Sequence, residues 1–591
     1  MATVAARVAR TLLDGGVTHV FGVVGNGNFR IADALASGGA RYVAARHEGG
    51  AVVMADAFHR VTGRVAVCTA TYGPGFTNLA TGLADAAKQA GGVLVVTGDA
   101  PTSGLRRIDV DQAALARTLG ARVVRITEPS EAGPSTAAAL RLARAAPCPV
   151  VLLVPSDLLD LDAPGDGAAP APAVAAPRPD TAATAAPWPD TAATAAPWPD
   201  TAATAAPWPD TAATAAPAEV AAVMELLASA RRPLLLAGLG AWRSGAGPLI
   251  ARLADRTGAL LATTVMAGGL FTGNPWSLGV CGGFAAPRAA ELIGSADVVA
   301  AFGASLGHWT LHGGRMLAPG AVLVQVDTAG RATSGRVDLC VTGDAAAVAG
   351  RLLDAARARG LAPGPWRAEA AAALHDLGWH HVPYEDAGRD GRIDPRSLTR
   401  ALAGLLPADR TLVTDGGHFI AWPAMYWPVA DPSALVFTGA AFQSIGLGFA
   451  GAVGAAVARS DRMVVAALGD GGALMGLPEL ETLVRVAESA LVVVYDDAAY
   501  GAEVHMYGRA GAESETAVFE STDFAGVARS LGASAVTVRD VGDLDAVRQW
   551  LARGARGVML LDCKVVRDVV AVMLAGTVPA DAPGRAASAS S

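Results

Sequence analysis

Short runs of β-branched and aliphatic residues recur along this chain, each followed by glycine or polar residues and then by a stretch with helical spacing. HVFGVVG, VAVCTA, GVLVVTGD and PVVLLVPSD come first, with helical stretches at 48–61 and 76–88 between them. A second set, PLLLAGLG, ALLATTV, DVVAAFGAS and AVLVQVD, lies within 218–360. A third, TLVTDGG, MVVAALGDGG, ALVVVYDD and GVMLLDCK, follows residue 393. Unbroken apolar runs alternating with helices are the mark of strands buried on both faces, as in parallel βαβ units. The pattern predicts an α/β protein of three consecutive doubly wound parallel-sheet domains, at 1–162, 218–360 and 393–575, with a connection at 361–392. At the start, Val4, Val8 and Leu12 mark one face of an amphipathic helix, and Arg7, Arg10 and Asp14 interrupt any secretory apolar run.

One segment breaks this rhythm. TAATAAP occurs at 181–187, 191–197, 201–207 and 211–217, joined by WPD. A ten-residue unit of small residues with a proline break is too short and too poor in apolar surface to stack as a solenoid. It predicts a disordered alanine- and proline-rich linker over 163–217, with Trp188, Trp198 and Trp208 as spacer residues. The Ala- and Ser-rich end, 576–591, predicts a flexible tail.

Composition narrows the function. With 591 residues, 52% hydrophobic and 17% charged, the chain can bury several cores. A net charge of −8 argues against general affinity for nucleic acid or anionic membrane. The most lipid-like stretch, 440–458, carries Gln443, Ser444 and several glycines and reads as a buried turn and helix. Five scattered cysteines suit a reduced, cytoplasmic protein without a disulfide frame or a zinc knuckle. No GxGxxG follows a strand with an acidic residue about twenty positions later, which argues against a nicotinamide dehydrogenase.

Chemistry concentrates in the third domain. Strand VVAAL runs into Gly469, Asp470, Gly471 and Gly472; strand LVVVY runs into Asp496, Asp497, Ala498, Ala499, Tyr500 and Gly501. Asp470 and Asp497 are 27 residues apart, one βαβ crossover, so neighbouring strand ends can aim both carboxylates at one point. Two hard oxygen ligands and a backbone carbonyl, here that of Ala499, suit Mg²⁺. Gly471 and Gly472 let backbone N–H groups approach a phosphate.

This arrangement resembles the GDG–x–NN signature of the thiamine-diphosphate enzymes of the acetolactate synthase and pyruvate decarboxylase superfamily. The resemblance extends to His47-Glu48 in RHEGGA, to the turn Gly73-Pro74-Gly75, to TDGGHFIAW with Gly417 and His418, and to QSIG with Gln443 and Ile445. It implies pyrimidine-binding, middle and diphosphate-binding domains, with thiamine diphosphate and Mg²⁺ as cofactors. Glu48 would sit at the pyrimidine and favour the tautomer that removes the cofactor's weakly acidic C2 proton; Ile445 would prop the cofactor's bend. Gly73, Gly417, His418, Gln443, Gly469, Gly471, Gly472, Tyr500 and Gly501 would complete its binding site. Asn26, Gly27, Asn28, Tyr72 and Gln112 would line the acceptor side, with Gln112 favouring ligation and His505 a candidate proton donor.

The implied activity is decarboxylation of a 2-oxo acid and transfer of the acyl carbanion to an acceptor carbonyl. A non-ligating decarboxylase or lyase, and a catalytically silent cofactor-binding protein, are the alternatives. The resemblance also implies a homodimer or homotetramer with sites between subunits. Two departures stand out. The signature ends in two aspartates rather than two asparagines, and the middle-domain segment GASLGHW lacks the arginine of flavin-binding members, which predicts no FAD and a mainly structural middle domain.

Overall fold

In a computed structural model the chain is described at residues 2–145, 148–164, 215–508 and 514–574. Most of the expected linker and the whole expected tail lie outside these residues. The linker's described edges are packed: Ala163 N donates to Ala2 O at 2.8 Å, and Ala215 is buried against the middle domain ahead of the helix Pro217–Ser229.

Three six-stranded, wholly parallel sheets follow one another, each covered by helices. Numbering strands within each sheet, the first and third share the spatial order 2-1-3-4-6-5, whereas the middle sheet is ordered 6-5-4-1-2-3. The expected apolar runs are the four central strands of every sheet. In the first these are His19–Gly22, Ala66–Ala70, Val93–Asp99 and Val150–Pro155, the last three wholly buried. Two short edge strands complete each sheet; in the third they are Leu435–Phe437 and Ser534–Val538. The expected helix at 76–88 is two helices, Pro74–Asn78 and Ala80–Lys88, meeting at Leu79. The N-terminal helix Val4–Asp14 buries Val4, Val8 and Leu12 as its spacing requires. Among the described residues no helix is long and apolar enough to cross a membrane.

The first and third domains share one core. Helix Glu48–Thr62 of the first lies along helix Gly448–Ala458 of the third, and both are buried over most of their length. Glycine makes the approach possible: a Cβ on Gly454 would stand 2.3 Å from the carbonyl oxygen of Met54 and 2.8 Å from Ala57 Cβ. At the ends of this contact the domains hold each other's loops. Glu479 of the third accepts the backbone N–H groups of Arg46 and His47, at 3.0 and 2.9 Å. Asp85 of the first accepts those of Gly439 and Phe442, at 3.0 and 3.2 Å. Burial raises the pKa of both carboxyls, so each depends on these donors.

Gly454→Val tests this contact. Overpacking a closed helix interface costs about 1–3 kcal/mol, so the variant is expected to melt several degrees below wild type with its far-ultraviolet circular dichroism retained. An unchanged melting temperature would contradict close packing at Met54.

Candidate active site

In a doubly wound sheet, ligands bind beyond the carboxyl ends of the strands, where the strand order reverses. In the third domain that point lies between the strands Arg410–Thr414 and Met463–Gly469, the first and third of the sheet. The loops leaving them are Asp415-Gly416-Gly417-His418 and Asp470-Gly471-Gly472. The neighbouring strand, Ser489–Asp496, pairs Tyr495 with Gly469, so Asp470 and the two following aspartates come level. A cavity of about 1770 Å³ opens here, lined by Gly417, His418, Gln443, Ile445, Gly469, Asp470, Gly471, Gly472, Asp497, Ala499, Tyr500 and Gly501. Of the third-domain residues singled out in the sequence, Asp496, Ala498 and His505 do not line it.

The two aspartates of the second motif have different surroundings. Asp496 turns away: its Oδ2 accepts from Lys564 Nζ at 2.7 Å and Ser521 Oγ at 2.6 Å, and it is fully buried. Asp497 faces the cavity. Asp470 is 2% exposed and its Oδ2 has no hydrogen-bond partner. Burial, reinforced by the charges of Asp497 and Asp496, raises the pKa of Asp470; burial also raises that of Asp497, against the opposing pull of Arg567. Paired buried carboxylates with an unsatisfied oxygen are the donor set of a hard cation. Among the described residues no group of three or more Asp, Glu, His or Cys converges on a metal position, so a cation here needs further ligands from carbonyls, water or a phosphate. The two glycines are packed tightly against their own neighbours. A Cβ on Gly471 would meet the Tyr500 ring at 2.5 Å, and one on Gly472 the Asp415 carboxylate at 2.9 Å. These residues would suit a hard cation beside a phosphate group.

Asp415, which the sequence did not single out, ties the cradle together. It is buried and accepts Gly416 N at 2.9 Å and Gly446 N at 2.8 Å, the second next to Ile445. Burial pushes its pKa up to about 6.

The first domain repeats the same topology, and its reversal point also gathers candidate residues. The loop after His19–Gly22 carries Asn26 and Gly27; the loop after Ala66–Ala70 carries Tyr72 and Gly73. Glu48 begins its helix beside them, half-buried, with Oε2 accepting from Asn78 Nδ2 at 2.9 Å; a Cβ on Gly75 would lie 3.1 Å from Oε1. Asn26 Nδ2 reaches the Tyr72 hydroxyl at 3.4 Å, and the Arg106 guanidinium lies over the Tyr72 ring. None of these first-domain residues lines the cavity beside Asp470 in the same chain.

Three candidates are packed into the protein. Gln112 does not offer its amide to a substrate: it is buried, Oε1 accepts Gly73 N at 2.8 Å, and Nε2 donates to Gly98 O and Asp99 Oδ1. It shapes the turn at Gly73. Asn28 is also fully buried, bonded to Gly25 N, Val23 O and Thr69 Oγ1, and holds its own loop. His505 is buried with its ring 4.4 Å from that of His418, outside the cavity lining, while His418 Nε2 accepts Ala571 N. Arg243, Ser305, His308, Trp309, Asp327 and Asp344 of the middle domain also line the cavity.

Comparison with known proteins agrees with this geometry. Residues 2–120 match the thiamine pyrophosphate enzyme N-terminal TPP binding domain, 220–352 the central domain, and 415–563 the C-terminal TPP binding domain. These matches and the two strand-end sites define a three-domain thiamine pyrophosphate enzyme. The chain belongs to the acetolactate synthase-like superfamily of these enzymes. It is 27% identical to a probable acetolactate synthase large subunit of Methanocaldococcus jannaschii, covering 90% of this chain and 86% of that one. It is likewise 27% identical to a sulfoacetaldehyde acetyltransferase of Castellaniella defragrans, covering 90% and 88%. A thiamine diphosphate-dependent 4-hydroxybenzoylformate decarboxylase of Rhodococcus jostii shares the fold, with a TM-score of 0.72 at 20% identity over 96% of this chain and 99% of that one.

Asp415→Asn probes the cradle. Because the native carboxyl keeps its proton up to about pH 6, its charge weakens folding as pH rises from about 4, the unfolded value, to about 6. The melting temperature of the variant relative to wild type is expected to rise across that window and level off above it. A difference that does not vary with pH would contradict the buried charge.

Proposed function

We propose that this enzyme uses thiamine diphosphate and Mg²⁺ to decarboxylate a small 2-oxo acid and pass the acyl carbanion to an acceptor carbonyl. The single observation that carries the reading is the division of the site. Asp470, Asp497, Ile445 and the glycine cradle face one cavity, while Glu48, Tyr72 and the Gly73 turn stand at the other domain's strand ends, outside that cavity. Two copies of the chain, each offering its first domain to the other's third, would bring both halves onto one cofactor. Exposed apolar side chains flank each half: Leu105, Ile108 and Val110 near the Gly73 turn, and Phe442 and Met475 near Ile445. A second copy would cover both groups. The minimum assembly is therefore a homodimer.

In this reading Asp470, Asp497 and the Ala499 carbonyl would hold Mg²⁺, and Gly472 would offer its backbone N–H to the diphosphate, while the Gly471 N–H donates to Asp470 Oδ1 at 2.9 Å. Bound thiamine diphosphate supplies the nucleophilic carbon and the electron sink for loss of carbon dioxide. Glu48 would hydrogen-bond the pyrimidine ring and set its tautomer; Asn78 donates to that carboxyl at 2.9 Å. Asn26 and Tyr72 present polar groups to the acceptor, and an amide at Asn26 does not relay a proton as an acid would, which favours carbon–carbon bond formation. The named acetolactate synthase and acetyltransferase relatives support transfer. The spent amide of Gln112 favours the second reading, decarboxylation without ligation.

Incubating the protein with thiamine diphosphate, Mg²⁺ and a panel of 2-oxo acids, with and without an aldehyde, is expected to give carbon dioxide and a ligated product by mass spectrometry. Glu48→Gln is expected to lower carbon dioxide release about 10²–10⁴-fold. Release without ligated product supports the second reading; no release from any acid would contradict both.

A further inference from the structure

The strand Val93–Asp99 ends on a buried carboxylate that lies outside the cavity beside Asp470. Asp99 Oδ2 accepts from Arg125 Nε at 2.6 Å, and Arg125 Nη2 donates to Ala100 O at 3.2 Å. Arg125 closes the edge strand Arg122–Arg125, so the pair ties two strand ends of the first sheet. Burial raises the pKa of Asp99, against the Ala100 N–H and the charge of Arg125. Asp99 Oδ1 accepts from Gln112 Nε2 at 3.2 Å, and the same nitrogen donates to Gly98 O at 2.9 Å. These two acceptors fix the amide nitrogen and leave Oε1 to accept Gly73 N at 2.8 Å. Gly73 caps the short helix Pro74–Asn78 at a φ of 66°, and at the far end of that helix Asn78 Nδ2 donates to Glu48 Oε2 at 2.9 Å. A continuous path of hydrogen bonds and one short helix thus runs from Arg125 to Glu48.

We infer that Asp99, braced by Arg125, is a positioning residue for Glu48, acting through the Gln112 amide and the helix that begins at Gly73. The inference rests on the proposed role of Glu48 at the cofactor. A carboxyl that sets a tautomer must be held within about 0.5 Å of its productive place by groups that are themselves fixed. Glu48 is half-buried and, among the described residues, takes its one side-chain hydrogen bond from Asn78, so the seat of the helix Pro74–Asn78 decides where the carboxyl stands. That seat has little slack: a Cβ on Gly73 would stand 2.8 Å from Ile108 O, and one on Gly98 2.6 Å from Gly27 O. Asp99→Asn cuts the path at a defined point. An asparagine has one acceptor oxygen where Arg125 and Gln112 each need one, so one of the two links fails whichever way its amide turns.

The test uses the full-length protein and two readouts. Carbon dioxide release is measured at saturating thiamine diphosphate and Mg²⁺ with the 2-oxo acid that wild type consumes fastest, and amide hydrogen–deuterium exchange is followed in the apoprotein. Asp99→Asn is expected to lower kcat about tenfold and to speed exchange in peptides covering residues 73–78. In a Glu48→Gln background the same substitution is expected to cost no more than about twofold further, because residues acting through one group are not additive. A merely structural residue would lower the rate equally in both backgrounds. Arg125→Gln, at an exposed strand end, carries the same expectations should Asp99→Asn not fold. An unchanged kcat, unchanged exchange at the turn, or losses that multiply with Glu48→Gln would overturn the inference, while carbon dioxide release by wild type leaves the reading of the site standing. If wild type releases none from any acid, the reading of the site falls and the inference with it.

Discussion

The contact between helices Glu48–Thr62 and Gly448–Ala458 governs the rest of the molecule. It is close because Gly454 has no side chain, and it orients the first and third domains so that their ligand-binding strand ends do not meet within one chain. Glu479 and Asp85 then fix the loops on either side, one next to Glu48 and the other next to Gln443 and Ile445. Each domain thus shapes the other's half-site while contributing its own half elsewhere. On the proposed reading, every cofactor is gripped by two chains, and folding of one chain prepares half of each of two sites.

Electrostatics follows from that architecture. A buried pair of carboxylates such as Asp470 and Asp497 is unfavourable alone, and a protein keeps it only where a cation or hydrogen-bond donors offset the desolvation. Here the donors are assigned residue by residue. Lys564 and Ser521 take Asp496, backbone amides take Asp415, and Gly471 N–H takes Asp470 Oδ1 while its Oδ2 has no hydrogen-bond partner. The departure from asparagine in the signature is therefore accompanied by basic residues that a sequence motif does not include.

What was legible in the sequence was what is local. Central strands are unbroken apolar runs, and GDG and DDxxYG sit at strand ends by necessity of the βαβ step. Edge strands were not marked because they are short and half-exposed, as in Arg122–Arg125 and Ser534–Val538. Partners far apart in the chain were equally hidden: Glu479 meets Arg46 and His47, and Lys564 meets Asp496, only after the sheets assemble. The packing of Gln112, Asn28 and His505 was hidden for a related reason. A polar side chain on a loop or short helix is as well suited to tie backbone as to meet substrate, and only the closed loop reveals which.

Mixed dimers test the division of the site most directly. One chain carries Glu48→Gln and the other Asp470→Ala, each inactive alone, and the two are co-expressed with different tags and purified as the hybrid. A site built from two chains places both substitutions in one pocket and leaves the second pocket intact, so the hybrid is predicted to release carbon dioxide at about half the wild-type rate. A hybrid as inactive as its parents would show that Glu48 and Asp470 do not serve one cofactor from opposite subunits.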